Sequence, residues 1–77
     1  MANIQDTLDY LLKSVVTDSS SIVIDTQETD GVTIFEVTAA AEIIGQLIGK
    51  EGKVIKSIRT ILNLAYPDIR YSLEIKG

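Results

Sequence analysis

A glycine-bounded loop followed by basic residues is the part of this chain best suited to chemistry with an anion. Residues 49–52 are Gly-Lys-Glu-Gly, and a stretch typical of a helix follows them. Glycine permits backbone angles that other residues resist, and its missing side chain lets a ligand approach the backbone. The free N–H groups and positive dipole end of the following helix favour a phosphate. Lys53, Lys56 and Arg59 recur on that helix at intervals of about one turn. The segment therefore predicts a phosphate-binding loop.

Two other interpretations of residues 49–52 compete with this prediction. A nucleotide P-loop needs four residues between its glycines and a Ser or Thr after the Lys. Only three residues separate Gly45 from Gly49, and Glu51 follows the lysine, so the P-loop interpretation fails. A purely structural turn between two helices, with the lysines on a solvated face, stays open. The apolar and basic pattern around the loop favours binding over that alternative.

The residue types that the chain lacks exclude most enzyme chemistry. It has no His and no Cys, which removes the usual ligands of zinc, copper and haem and the Ser-His-Asp and Cys-His catalytic arrangements. A calcium-loop interpretation of the acidic residues 25–31 fails at both ends, since Thr26 would stand at the first ligand position and Val37 at the last. We therefore expect no catalysis, no metal, no cofactor and no small-molecule substrate.

Length and charge bound the class of protein. The 77 residues suffice for one small domain, and 45% hydrophobic with 23% charged residues is an ordinary globular composition. The net charge of −4 taken alone argues against nucleic acid, because phosphate binding leaves a basic footprint. However, residues 1–42 hold one basic and eight acidic residues, whereas residues 43–77 hold six basic and three acidic ones. We therefore expect an acidic surface that repels bulk nucleic acid and a basic segment confined to the loop.

Hydrophobic periodicity predicts one helix and a hairpin before the loop. Residues 4–16 carry apolar side chains on one helical face, and Asn3 is their predicted N-cap. A short strand follows at residues 22–24, and the Asp-Gly pair at residues 30–31 signals a hairpin turn. The return strand covers residues 32–37, with neither face marked as the inner one.

Two helices and a final strand complete the pattern. A helix capped by Thr38 is predicted to stop at Gly49, and a second one to run from Gly52 to about Ala65. Apolar and polar residues alternate over residues 69–76, which indicates a half-buried strand. The order is therefore α-β-β-α-α-β, and it predicts an α+β domain with helices on one face of a sheet.

The residues around the loop resemble the core signature of a KH domain, G-x-x-I-G-K-x-G-x-x-I-K-x-I-R. This chain matches it at Gly45, Ile48, Gly49, Lys50, Gly52, Ile55, Lys56, Ile58 and Arg59. Because α-β-β precedes the loop and one strand follows, the order resembles the type II topology. A domain of this length with little attached is similar to the small bacterial single-domain KH proteins of the KhpA type. The resemblance covers residues 1–77 and implies one type II KH domain, with three helices packed on one face of a three-stranded mixed sheet. The first central helix departs from the pattern, because it opens with Ala-Ala-Ala-Glu where the family usually has Pro and acidic residues.

The resemblance implies single-stranded RNA as the ligand, clamped over about four nucleotides in a groove between the central helices and an edge of the sheet. The loop would hold the sugar-phosphate backbone, lysines would add charge, and isoleucines would lie under the bases. For the isoleucines, plain core packing is an equal alternative. Backbone groups of residues 33–37 would bond to base edges, and no aromatic residue is near the loop in sequence to stack on bases. The predicted RNA-binding residues are Gly49, Lys50, Glu51, Gly52, Lys53, Lys56, Ile44, Ile48 and Ile55.

The resemblance also implies partners and a location. It implies an RNA chaperone that forms a homodimer or pairs with a larger KH-containing protein. A protein-interaction module, in which the loop and adjacent helix form a homo- or heterodimer contact, stays open as an alternative, and so does single-stranded DNA as the ligand. No apolar run approaches the roughly 20 residues that span a membrane. The absence of Cys suits a reducing compartment, so we expect a cytoplasmic protein with no membrane contact.

Overall fold

The computed structural model describes residues 3–76, so residues 1, 2 and 77 of the predicted domain lie outside it. The elements are helix α1 at Ile4–Ser14, strand β1 at Val23–Thr29, strand β2 at Val32–Thr38, helix α2 at Ala41–Ile48, helix α3 at Lys53–Ala65 and strand β3 at Tyr71–Lys76. The predicted order α-β-β-α-α-β is confirmed.

Helix α1 begins at the predicted cap and ends two residues before the predicted end. The side chain of Asn3 accepts a hydrogen bond from the N–H of Asp6 at 2.9 Å, which satisfies one of the free donors of the first turn. The helix ends at Ser14, since the backbone angles of Val15 are no longer helical, with φ −104° and ψ 1°. One face of α1 is buried in the core, as the periodicity predicts.

The β1–β2 hairpin turns at the predicted Asp-Gly pair. Asp30 has φ 52° and Gly31 has φ 78°, and Thr29 pairs with Val32, so these two residues form the whole turn. Strand β1 reaches Thr29 and not residue 24 as predicted. The second half of β1 is polar and exposed, and its pairing with β2 stabilises it. The sequence of this half has no apolar periodicity that would predict a strand.

The sheet has the order β1-β2-β3, with β2 antiparallel to β1 and parallel to β3. The prediction of a three-stranded mixed sheet is confirmed. Phe35 and Val37 of β2 are fully buried and Leu73 of β3 is nearly so, which identifies the inner face that the sequence left open. The three helices cover this face, and their buried residues join the strands in one core.

The predicted cap of α2 by Thr38 is wrong. Thr38 is the last residue of β2 and pairs with Val23 on one side and Lys76 on the other. This two-sided pairing keeps its backbone extended, so α2 starts three residues later, with Ala40 as an N-cap that makes no side-chain bond. The N–H of Ala40 donates to the Ser21 hydroxyl at 3.2 Å.

Helix α3 is the central helix and runs antiparallel to α1. It buries Ile58 and Leu62, and the hydroxyls of Thr7 and Tyr66 are hydrogen-bonded at 2.6 Å, which joins the start of α1 to the end of α3. None of the helices within residues 3–76 has the length and apolar character needed to cross a membrane.

Candidate nucleic-acid interface

The turn between α2 and α3 combines left-handed backbone with glycine at both ends. Gly49 ends α2 with φ 74° and ψ −179°, and Gly52 precedes α3 with φ 74°, so both predicted helix boundaries are confirmed. Glu51 between them also has a positive φ, 58°. The N–H of Gly52 donates to the carbonyl of Gly49 at 3.2 Å, and the N–H of Lys53 donates to the carbonyl of Lys50. The turn is therefore closed by its own backbone.

Gly49 is required by space as well as by its backbone angles. A Cβ at this position would overlap Cγ2 of Val54 and lie 3.0 Å from the Val54 N atom. At Gly52, the nearest side-chain atom to a new Cβ is Cε of Lys56, at 4.0 Å, so only the positive φ favours glycine there. The first glycine of the loop thus allows the first turn of α3 to pack directly against the end of α2.

The loop presents hydrogen-bond donors that the chain itself does not use. Among residues 3–76, the backbone N–H groups of Lys50 and Glu51 have no backbone partner. Successive N–H groups in a turn at a helix N-terminus form a concave site for an anion. The arrangement can therefore hold a phosphate without rearrangement of the turn.

The loop lysines are available for an external anion, but they point in different directions. Lys50 and Lys56 are exposed, and the stem of Lys56 lies beside Gly52. The stem of Lys53 instead lines an apolar groove between α1 and α3. The ion pairs among the described residues are Lys13–Asp9 and Lys76–Glu36, so none of these three lysines is neutralised by a carboxylate.

The three predicted isoleucines lie at the border of the core. Ile44 and Ile55 are half-buried against it, and Ile48 is 38% exposed. The fully packed residues of the two central helices are others, namely Ile43, Leu47, Ile58 and Leu62. Ile44 and Ile48 lie one turn apart on one side of α2, so an apolar surface remains accessible next to the loop.

A cleft of about 550 Å³ lies between α3 and the open edge of β3, and the sequence reasoning missed it. Arg59 crosses it, since Nη2 donates to the carbonyl of Leu73 at 3.1 Å. The Tyr71 hydroxyl donates to Oδ1 of Asn63 at 2.9 Å. Burial raises the pKa of Tyr71, although the Arg59 guanidinium opposes the rise, so the phenol is protonated and acts as a donor. The i, i+4 spacing of Arg59 and Asn63 was a signal that both share one face of α3.

The predicted use of the β2 backbone by base edges is wrong. Strand β2 is central in the sheet and bonds to a neighbour on both sides, so residues 33–37 have no free edge. The strand beside α3 is β3. The N–H of Thr33 donates to the carbonyl of Arg70 at 2.9 Å, and in a parallel pair the alternate residues of β3 then face outwards. The Leu73 carbonyl, which Arg59 contacts, is on that outer edge.

Within the described part of the chain, no three Asp or Glu side chains gather into a group that could hold a metal ion. The candidate interface has three parts: the donor-rich turn, an apolar shelf formed by Ile44, Ile48 and Ile55, and the cleft between α3 and β3.

Comparison with known proteins gives a consistent set of relatives. Residues 5–75 match the family model described as the KH domain of KhpA and KhpB. A protein of Chlamydia caviae named RNA-binding protein KhpA is 37% identical over 73 residues, which cover 92% of this chain and 94% of that relative. The protein of the same name from Chlamydia trachomatis is 39% identical over 70 residues, or 88% of this chain and 90% of the relative. One from Treponema pallidum is 26% identical over 73 residues, or 92% and 91%. No solved structure matches the chain significantly.

Proposed function

Since this chain belongs to the family of KhpA/KhpB KH domains, we propose that it binds single-stranded RNA and clamps about four nucleotides at residues 49–52. Its relatives are named RNA-binding proteins, and the prediction that the chain is not an enzyme agrees with those names. The observation that carries the proposal is the turn itself. It has glycine at both ends, unbonded N–H groups at Lys50 and Glu51, and unpaired lysines beside it.

The proposed roles follow from the position of each residue. Gly49 and Gly52 let the sugar-phosphate backbone approach the turn. Lys50 and Lys56 provide positive charge at the phosphates, and Lys53 adds charge from the α1 side of the turn. The bases then lie over the shelf formed by Ile44, Ile48 and Ile55.

We infer that the RNA strand continues from the shelf into the cleft between α3 and β3. There Arg59 has further N–H donors besides the one bonded to Leu73, and these can reach acceptor groups of a base. Tyr71 lines the cleft and is half-buried, with its ring packed against Phe35 at a centroid distance of 6.4 Å, so we assign it the role of a wall of the cleft. Recognition therefore rests on van der Waals contacts and hydrogen bonds.

The remaining surface restricts where RNA can bind. On the outer face of the sheet, Asp25 pairs in register with Glu36, and Glu36 with Glu74. Lys76 neutralises one of these three carboxylates, Glu36, at 3.1 Å. This acidic row repels phosphate, so binding is confined to the turn, the shelf and the cleft between α3 and β3. Weak contacts with little sequence preference suit an RNA chaperone, so we include this role in the proposal. The absence of Cys suits the reducing cytoplasm, so we include this location as well.

Chemical-shift mapping tests the proposed site. When a short unlabelled single-stranded RNA is added to the isotopically labelled chain, we expect the amides of residues 49–56 and the methyl groups of the three shelf isoleucines to shift most. The residues of the acidic row serve as the internal control and are expected to stay unchanged. Shifts concentrated on the acidic row, or none at all, would rule the site out.

A self-associating module is the second candidate function, and one apolar surface favours it. Helices α1 and α3 carry large exposed hydrophobic side chains: Tyr10 at 72%, Val15 at 42%, Ile61 at 43% and Leu64 at 78% exposure. Val15 and Ile61 lie together between the two helices, and Leu64 follows Ile61 by about one turn, so these three side chains mark one face. A groove of about 310 Å³ runs through this face. The face lies on the side of α3 away from the cleft, so a dimer formed there leaves Lys50 and Lys56 accessible, whereas Lys53, which lines the groove, borders the contact. Two linked loops raise the effective concentration for a second contact.

A charge placed on this face is expected to abolish self-association. In sedimentation equilibrium, the wild type is expected to approach the mass of two chains as its concentration rises, whereas Leu64→Glu stays at one. The control is Gln5→Glu, which adds the same charge on an exposed residue of α1 outside the face. A wild type that remains one chain at all concentrations, or a Leu64→Glu variant that still pairs, contradicts this second function. A dimer that loses RNA as it forms favours a contact through the loop.

A further inference from the structure

Glu51 adopts a backbone conformation that its residue type does not favour. Among residues 3–76, the non-glycine residues with positive φ are Asp30 and Glu51. For Asp30 the cause is local, since a two-residue hairpin turn requires left-handed backbone and Asp tolerates it. Glu is not a residue of that kind. The backbone bonds that close the turn hold Glu51 in this conformation, and no hydrogen bond or ion pair of its side chain within the described residues adds to them. Strain of this sort persists mainly at functional sites.

The Glu51 carboxylate also has the wrong charge for a loop that binds phosphate. It is exposed in a turn whose other functional groups are donors, namely the unbonded N–H groups of Lys50 and Glu51 and the ammonium group of Lys50. Its negative charge opposes the positive charge of Lys50 and repels the phosphates of RNA and DNA equally. Phosphate binding alone therefore leaves this exposed carboxylate without a role.

We propose that Glu51 selects RNA over single-stranded DNA by accepting a hydrogen bond from a ribose 2′-hydroxyl of the clamped strand. This inference rests on the proposed RNA binding and deepens it. The 2′-hydroxyl is the group by which a protein distinguishes the two nucleic acids at a given site. N–H and ammonium donors bind phosphates of both, whereas a carboxylate is an acceptor only and needs a donor from the ligand. RNA supplies that donor and DNA does not.

The consequence is selectivity at the expense of affinity. The repulsion between Glu51 and the phosphates weakens both ligands, and a charge-assisted hydrogen bond restores the affinity of RNA alone. Removal of the carboxylate is therefore expected to strengthen DNA binding and to change RNA binding much less. A single 2′-hydroxyl contact of this kind corresponds to a preference of about tenfold.

The test compares matched RNA and DNA oligomers of about twice the four-nucleotide site length. They contain only A, C and G, so that the thymine methyl group plays no part. In fluorescence anisotropy, the wild type is expected to prefer RNA about tenfold, and Glu51→Gly to bind the two within about twofold of each other. RNA with 2′-O-methyl groups is expected to bind the wild type as weakly as DNA does. Glu51→Gln, which keeps a neutral carbonyl acceptor, is expected to give an intermediate ratio.

Asp30→Gly is the matched control, because it removes one carboxylate and one left-handed non-glycine residue in a different turn. It is expected to keep the RNA preference of the wild type. Glycine is compatible with the φ of 58° at position 51, so the Glu51→Gly turn is expected to keep its shape. An unchanged RNA-to-DNA ratio in Glu51→Gly overturns the role of Glu51 while leaving RNA binding intact. A wild type that binds neither oligomer overturns the proposed function together with this inference.

Discussion

A Gly49→Ala variant is expected to lose about 3 kcal/mol or more of folding free energy and, with it, RNA binding. The backbone at Gly49, with φ 74° and ψ −179°, lies in a region open almost only to glycine. The added Cβ would also overlap Cγ2 of Val54, so either α3 moves away from the loop or the turn rearranges. In a domain of this size the loss corresponds to a decrease in Tm of more than about 12 °C.

Gly45→Ala is the matched control for this effect. Gly45 lies inside α2, and no atom outside its own helix would come within 4 Å of a new Cβ. Alanine is the better helix former by about 1 kcal/mol, so this variant is expected to be as stable as the wild type or more stable. Denaturant unfolding followed by circular dichroism measures both variants. Equal midpoints for Gly49→Ala and Gly45→Ala would contradict the packing described for the loop.

The elements that sequence reasoning predicted well are those in which local signals agree with tertiary packing. Gly52 and the residues that follow it carry both a start signal and a helical apolar face, and α3 forms there. The alternation around Leu73 marks β3 for the same reason, because one face of that strand is buried and the other is solvated. Asp30-Gly31 determines the hairpin turn by backbone geometry alone.

The errors arose where long-range pairing overrides local preference. Thr38 is a good cap residue, but pairing with Val23 and Lys76 holds it in the sheet. The polar second half of β1 has no pattern of its own and exists because β2 pairs with it. Local signals contain no information about either contact.

The candidate site likewise has one part that the sequence predicts, the turn, and one part that it does not, the cleft. The turn at residues 49–52 is one continuous segment, so its shape and donors follow from the sequence. The cleft needs Arg59 of α3 beside Leu73 of β3, and that contact depends on the parallel pairing of β2 and β3. The same pairing makes β2 central, which is why its backbone could not serve the bases.

Lys50→Asp is expected to produce the largest loss of RNA affinity, at least about tenfold in low salt, with little change in stability. Lys50 is exposed and unpaired at the centre of the turn, so its replacement disturbs no contact of the fold. Two acidic side chains would then face the phosphates at residues 50 and 51. Lys13→Asp makes the same change of charge on α1, where Lys13 contacts Asp9 at 3.1 Å, and it serves as the control. We expect the control to bind RNA within about twofold of the wild type, since screening over a Debye length of about 8 Å removes distant charge effects.

Titration of single-stranded RNA into the wild type, Lys50→Asp and Lys13→Asp over a series of salt concentrations tests the central claim most directly. With two to three phosphates neutralised, the wild type is expected to show a slope of log affinity against log salt of about −1.5 to −2. The same slope is expected for Lys13→Asp, whereas that of Lys50→Asp is expected to be smaller in magnitude by about 0.7 or more, with weaker binding throughout. Equal affinities and equal slopes for the two variants would contradict the claim that residues 49–52 hold the RNA backbone.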